Sequence, residues 1–162
     1  MNRIEELEKQ AKEILEEIEK LKKEEKVESK VWKPEVNEEY YTIEADGEVL
    51  ENTWLDEEDD EKLYNMGNYF KTREEAEKVV EKAKIYTQLK RLAEEENTEP
   101  IDWENREQEK CYICYKNNLK YLDQFFAESQ QDIGQIYCTN KDFLEIAIER
   151  IGEENLLKLF KE

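Results

Sequence analysis

The chain has 162 residues, of which 44 are acidic and 25 basic, and it carries no histidine. Its net charge of −19 argues against direct binding of nucleic acid or an anionic membrane, since phosphates are held by neutralising cations; it steers instead toward basic protein surfaces. The missing histidine removes the commonest general base, the usual catalytic triads and most zinc sites.

Hydrophobic residues make up 38% of the chain against 43% charged, so the buried core is limited and is expected to be shared between subunits or sub-structures. No apolar run reaches the roughly 18–20 residues needed to span a bilayer. Met1-Asn2-Arg3 leads straight into charged helix rather than a signal peptide, so a cytoplasmic location is expected.

Residues 1–30 read as a helix with a heptad seam. Ile4, Ala11 and Ile18 fall at one core position, and Leu7, Ile14 and Leu21 at the other. Leu15 widens the stripe. Arg3 facing Glu8, and Glu17 facing Lys22, suit a parallel pair of chains. Three heptads are marginal alone in water, so the seam is expected to be buried. Self-association is favoured over packing against the chain's own globular part. Trp32-Lys33-Pro34 then stops the helix, because proline disfavours helical geometry in the residue before it.

Residues 31–97 form a first unit. Tyr40–Ala45 and Glu48–Trp54 read as a hairpin around Asp46-Gly47, a two-residue turn signal that would place Tyr41, Ile43, Leu50 and Trp54 on one face. Six consecutive acids follow: Asp56, Glu57, Glu58, Asp59, Asp60 and Glu61. Such a run can be a solvated surface, a mimic of a phosphate backbone offered to a basic partner, or a divalent-cation site. Metal cages, however, space their ligands around a turn. After Gly67, Asn68–Lys71 is a short strand, and Thr72-Arg73-Glu74-Glu75 is a capping box opening a helix to about Asn97. Ala76, Val79, Val80, Ala83, Tyr86, Leu89, Leu92 and Ala93 form its apolar stripe.

Residues 98–110, with Pro100 and Trp103 among polar residues, mark a linker. Residues 111–162 form a second unit. Cys111–Tyr115 turns at Asn117-Asn118 into Leu119–Phe126, and Gly134–Cys138 is a third strand. Thr139 is expected to cap a helix through Ile151, with Phe143, Ile146, Ala147 and Ile151 buried and Gly152 ending it; a last turn docks Leu156, Leu157 and Phe160. The Gly–aromatic–Thr cadence of Gly67–Thr72 recurs at Gly134–Thr139. The expectation is therefore an α+β protein: a coiled-coil helix, then two related hairpin/strand/helix units sharing one sheet.

Candidate chemistry is sparse. Cys111-x-x-Cys114 has no second pair, and on a strand residues three apart point to opposite faces, so reduced, packed cysteines are expected. Tyr40, Trp54, Tyr64 and Tyr69, and likewise Tyr112, Tyr115, Tyr121 and Phe125, suit cross-strand packing first and base stacking second. Lys71 and Arg73 flank the cap of the long helix, where phosphate is attracted; with Tyr69 they would suit a small nucleotide, and Lys141 lies near the equivalent cap in the second unit. There is no glycine-rich phosphate loop, nucleophile elbow or metal-ligand cluster. A non-enzymatic protein without cofactor or metal is expected.

The run Trp32-Lys33-Pro34-Glu35, Glu39-Tyr40-Tyr41-x-Ile43, Gly47, Trp54 and Gly67-Asn68-x-Phe70-Lys71-Thr72-x-Glu74-Glu75-Ala76-Glu77, with Leu89-Lys90-Arg91-x-Ala93-Glu94, carries a resemblance. With Gly134-x-Ile136-Tyr137, Ala147-Ile148-Glu149 and Ile151-Gly152-Glu153-Glu154, nearly the whole chain resembles a family of small phage- and prophage-encoded proteins of clostridia and other low-GC Gram-positive bacteria. Its Asn117-Asn118 segment departs from relatives that carry a longer polar loop there. The resemblance implies an accessory phage gene acting in the cytoplasm of the infected or lysogenic host, and such genes often encode inhibitors or sponges acting on host defence. The leading expectation is an acidic inhibitor of a host defence or nucleic-acid-handling protein. The alternatives are a sponge for a nucleotide signal and a structural coiled-coil adaptor.

Overall fold

The computed structural model describes residues 31–161 together with Lys12, Ile14, Leu15 and Glu17. The heptad seam of Ile4, Leu7, Ala11, Ile18 and Leu21 lies outside the described residues; its remaining member, Ile14, is 57% exposed. The described chain is α+β.

Strands β1 (Glu39–Ile43) and β2 (Val49–Thr53) form an antiparallel hairpin. Its register differs from the one that a two-residue Asp-Gly turn would set. Ile43 pairs with Val49, not Leu50. The Glu44 N–H donates to the Glu48 carbonyl at 2.8 Å and the Gly47 N–H to the Glu44 carbonyl at 2.9 Å, which makes a three-residue loop closed by Gly47 at φ +87°. A one-residue slip exchanges the faces of a strand. Tyr41 and Ile43 therefore share a face with Val49, and Leu50 turns to the other side, 39% exposed.

Helix α1 (Glu58–Met66) ends on Gly67 in left-handed geometry, φ +74°, with Asn68 N–H reaching the Leu63 carbonyl at 2.9 Å. Phe70 then exchanges two backbone hydrogen bonds of 2.9 Å with Tyr41. Asn68 extends that pairing with its amide, donating to the Ile43 carbonyl at 2.9 Å and accepting from the Ile43 N–H at 2.8 Å. Helix α2 (Arg73–Glu96) opens on the expected box: Glu75 N–H donates to Thr72 Oγ1, and Glu75 Oε2 accepts from Thr72 N–H, both at 3.2 Å.

Strands β3 (Lys110–Lys116), β4 (Tyr121–Ala127) and β5 (Tyr137–Cys138) form a second antiparallel sheet in the order β4-β3-β5. The two sheets are separate, so the expectation of one shared sheet is corrected. In both, the first strand of the segment is central, with its hairpin partner on one flank and a later segment on the other. The β3–β4 turn takes its left-handed residue at Lys120, φ +61°, rather than at Asn117 or Asn118.

Thr139 does not cap helix α3 (Phe143–Ile151); Asp142 occupies that position. Thr139 is held instead by the end of α2. Its N–H donates to Asn97 Oδ1 and its Oγ1 accepts from Thr98 N–H, both at 2.9 Å. Gly152 ends α3, and helix α4 (Glu153–Lys158) buries Leu156 completely.

The apolar residues divide between two cores spanned by α2, which is about 36 Å long at the usual rise. Ile85, Leu89, Leu92 and Ala93 of α2 are buried, and Leu89, Leu92 and Ala93 join Cys111, Ile113, Leu122, Phe143, Ala147 and Leu156 in the larger core. Ala76 is buried near the first hairpin, while Val79 between them stays 43% exposed. The expected linker is a packed loop. Gln108 accepts from Asp102 N–H at 2.7 Å and donates to the Pro100 carbonyl, and the buried Lys110 Nζ donates to the Asn105 and Gln108 carbonyls. No described helix is long and apolar enough to cross a membrane.

Candidate functional site

The acid run splits into different environments. Asp60 is buried and accepts three hydrogen bonds: from Tyr40 Oη at 2.8 Å, Leu55 N–H at 2.8 Å and Glu57 N–H at 3.1 Å. Burial pushes its carboxyl up, but the Tyr40 and backbone donors outweigh burial and hold it below the usual carboxylate range. Burial, and then the bond to Asp60, push the Tyr40 phenol well up. This pair ties α1 to β1, so Asp60 is not available to a partner. Glu61 pairs with Lys33, whose ammonium stands 5.0 Å from the Trp54 ring centroid and 5.1 Å from that of Tyr64. Glu58 and Asp59 share Lys62 at 3.0 Å each. Asp56 and Glu57 form no ion pair among the described residues.

At the chain entering α2 lies an open cleft of about 480 Å³ lined by Trp32, Tyr69, Phe70, Lys71, Lys78 and Lys82, with Glu75 and Val79. Trp32 lies on Tyr69, ring planes 22° apart and centroids 6.0 Å apart. Tyr64 backs Tyr69 at 4.6 Å. Burial and then Tyr64 push the Tyr69 phenol up, so it stays neutral at physiological pH. Lys71 Nζ stands 5.9 Å from the Trp32 ring centroid. Glu75, the carboxylate of this cleft, is engaged by the Lys71 and Thr72 amides of the capping box. Lys78 and Lys82 have no ion pair among the described residues. The cleft thus brings aromatic surface together with three lysines and one carboxylate on a strongly acidic chain.

Two of the four residues expected at a nucleotide site, Tyr69 and Lys71, meet in this cleft. Arg73 does not; it donates to the Val49 carbonyl at 3.0 Å, with its guanidinium 5.6 Å from the Tyr41 ring centroid, beside β2. It lines a different depression, where Arg73, Lys78 and Lys84 stand with Glu74, Glu77 and Glu81. Lys141 lies in the second unit, its carbonyl accepting from Gln124 Nε2 at 2.6 Å. Sequence reasoning missed Trp32, Lys78 and Lys82. The four-residue spacing of Lys78 and Lys82 on α2 carried a one-face signal, while Lys71 precedes the cap of that helix. Trp32 reaches them only through tertiary packing.

The cysteines hold no such site. Cys111 pairs in register with Cys138, and its Sγ donates to the Cys138 and Asn140 carbonyls at 3.1 and 3.0 Å. Burial, then Cys138, push its thiol up to about 12, which keeps it protonated. Cys114 lies on the other face of β3, half-buried. Among the described residues no group of histidine, cysteine or acidic side chains could hold a metal ion.

No family model matches this sequence, and the comparisons with curated proteins and with solved structures return no match.

Proposed function

We propose that this is a non-enzymatic binding protein whose working site is the cleft between Trp32 and Lys82, and that its ligand is a small nucleotide. The observation carrying this reading is the meeting of stacked Trp32 and Tyr69 with Lys71, Lys78 and Lys82 in one cleft. Aromatic faces hold bases at about 1–3 kcal/mol each without reading sequence. Lysine ammonium groups supply charge-assisted bonds to phosphate. The surrounding acidic field disfavours long nucleic acids while leaving a local site workable, because screening acts over about 8 Å at physiological ionic strength. Native mass spectrometry of the full chain with a panel of mononucleotides and cyclic nucleotides tests it. Retention of a nucleotide by the native chain, lost in Lys78→Ala/Lys82→Ala, is expected; no retention of any panel member contradicts it.

The acidic-inhibitor reading remains the second proposal. It is favoured by the net charge of −19 and by Asp56, Glu57, Glu58 and Asp59 at the exposed start of α1. A basic surface on a host defence or nucleic-acid-handling protein would be its target. Both readings suit an accessory phage gene acting in the host cytoplasm. The recurring strand order supports reading the two sheets as related units, and the heptad seam through Ile14 would join copies of the chain as a homo-oligomer.

A further inference from the structure

Beyond the cleft, the same face of α2 leads into a second depression of about 310 Å³ lined by Lys78, Lys82, Lys158 and Lys161, with Glu81, Glu154 and Leu157. Lys78 and Lys82 line both depressions. The two are therefore one basic surface, running from the aromatic wall on the first unit to helix α4 at the end of the second. In a chain with 44 acids and 25 bases, five lysines gather here against three carboxylates. Glu75 is engaged by the amides at the start of α2, and Glu81 by Lys158 at 2.6 Å. Lys161 Nζ is 5.7 Å from the Tyr115 ring centroid and has no ion pair among the described residues.

The surface is chemically asymmetric. The second depression is lined by lysines, Glu81, Glu154 and the aliphatic Leu157 and by no ring; the nearest one named, Tyr115 beside Lys161, is stacked on Phe160. A cyclic mononucleotide or a monophosphate would engage the aromatic end and leave Lys161 unused. A dinucleotide would bring a second base to a place with nothing aromatic to receive it. We infer that the surface takes a nucleoside polyphosphate, with its base at Trp32 and Tyr69 and its phosphate chain running over Lys78 and Lys82 toward Lys161. This rests on the nucleotide reading of the cleft and names the class of ligand.

The test is isothermal titration of the full chain with AMP, ADP, ATP and inorganic tripolyphosphate at fixed ionic strength. Each phosphate brought onto an ammonium adds a charge-assisted contact, so ATP should bind at least about tenfold more tightly than AMP. Lys161→Ala should erase most of that gain and leave AMP affinity unchanged. Lys141→Ala, at a lysine lining neither depression, should alter neither. Both lysines are exposed, and circular dichroism checks that the variants fold. Equal affinity for AMP and ATP, or an equal loss for both in Lys161→Ala, overturns the inference and leaves the cleft reading standing. Tripolyphosphate binding as tightly as ATP overturns the placing of a base. Binding of none of the four probes overturns the inference.

Discussion

Asp60 and Asp59 are neighbours of one chemistry with opposite tasks. Asp60 satisfies the Tyr40 hydroxyl and the Leu55 and Glu57 amides inside the protein, while Asp59 faces water beside Lys62. Asp60→Ala leaves buried donors without partners and should cost about 1–3 kcal/mol in urea unfolding. Asp59→Ala should stay within a few tenths, about the worth of an exposed pair. The folded carboxyl of Asp60 is held below its ordinary value, so its contribution is present above the unfolded pKa and lost as pH falls through the folded one. The stability gap between wild type and Asp60→Asn should therefore narrow in acid; a constant gap contradicts this. Cys111 has the reverse sign. Its thiol is raised to about 12, so its contribution is full below the unfolded value of about 9 and is lost as pH rises toward the folded one. Native Cys111 should resist alkylation at neutral pH and react only on unfolding, as peptide mass mapping would show. In the sequence the six acids are alike; only the phase of α1 against Tyr40 distinguishes Asp60, and that phase is tertiary information.

Local chemistry made some elements legible and misled on others. The Thr72–Glu75 box needs no partner beyond its own turn, and it forms as read. Thr72→Ala should lower stability by about 1 kcal/mol. Thr139 repeats the cadence, yet its hydroxyl and amide are taken by Asn97 and Thr98, residues from the far end of another helix. Thr139→Ala should therefore loosen the end of α2, seen as faster amide exchange around Asn97, without shortening α3. In the first hairpin the Asp-Gly signal marked the turn but not its length. The third loop residue moved the register by one and exchanged the faces. Gly67, at φ +74° with open space around it, ends α1 for backbone reasons alone; Gly67→Ala should cost about 1–2 kcal/mol through that geometry.

At the scale of the whole molecule, α2 spans two separate cores, and the basic face that crosses both units is a product of that span. The sequence showed two segments with similar strand order, but not that the lysines of α2 and of α4 would lie on one surface. If the seam through Ile14 joins chains, Ile14→Asp should yield a smaller species by light scattering, and an unchanged mass would rule the seam out of assembly. The cleft itself is open to a direct reading, because the chain has three tryptophans and only Trp32 lines it. Two-dimensional proton–nitrogen NMR of the full chain, titrated with ATP, resolves each indole N–H. The account predicts that the Trp32 indole and the amides around Lys78 and Lys82 shift together and saturate, while the indoles of Trp54 and Trp103 stay in place. Resonances that do not move, or shifts gathered at Asp56–Glu61 instead, would contradict it.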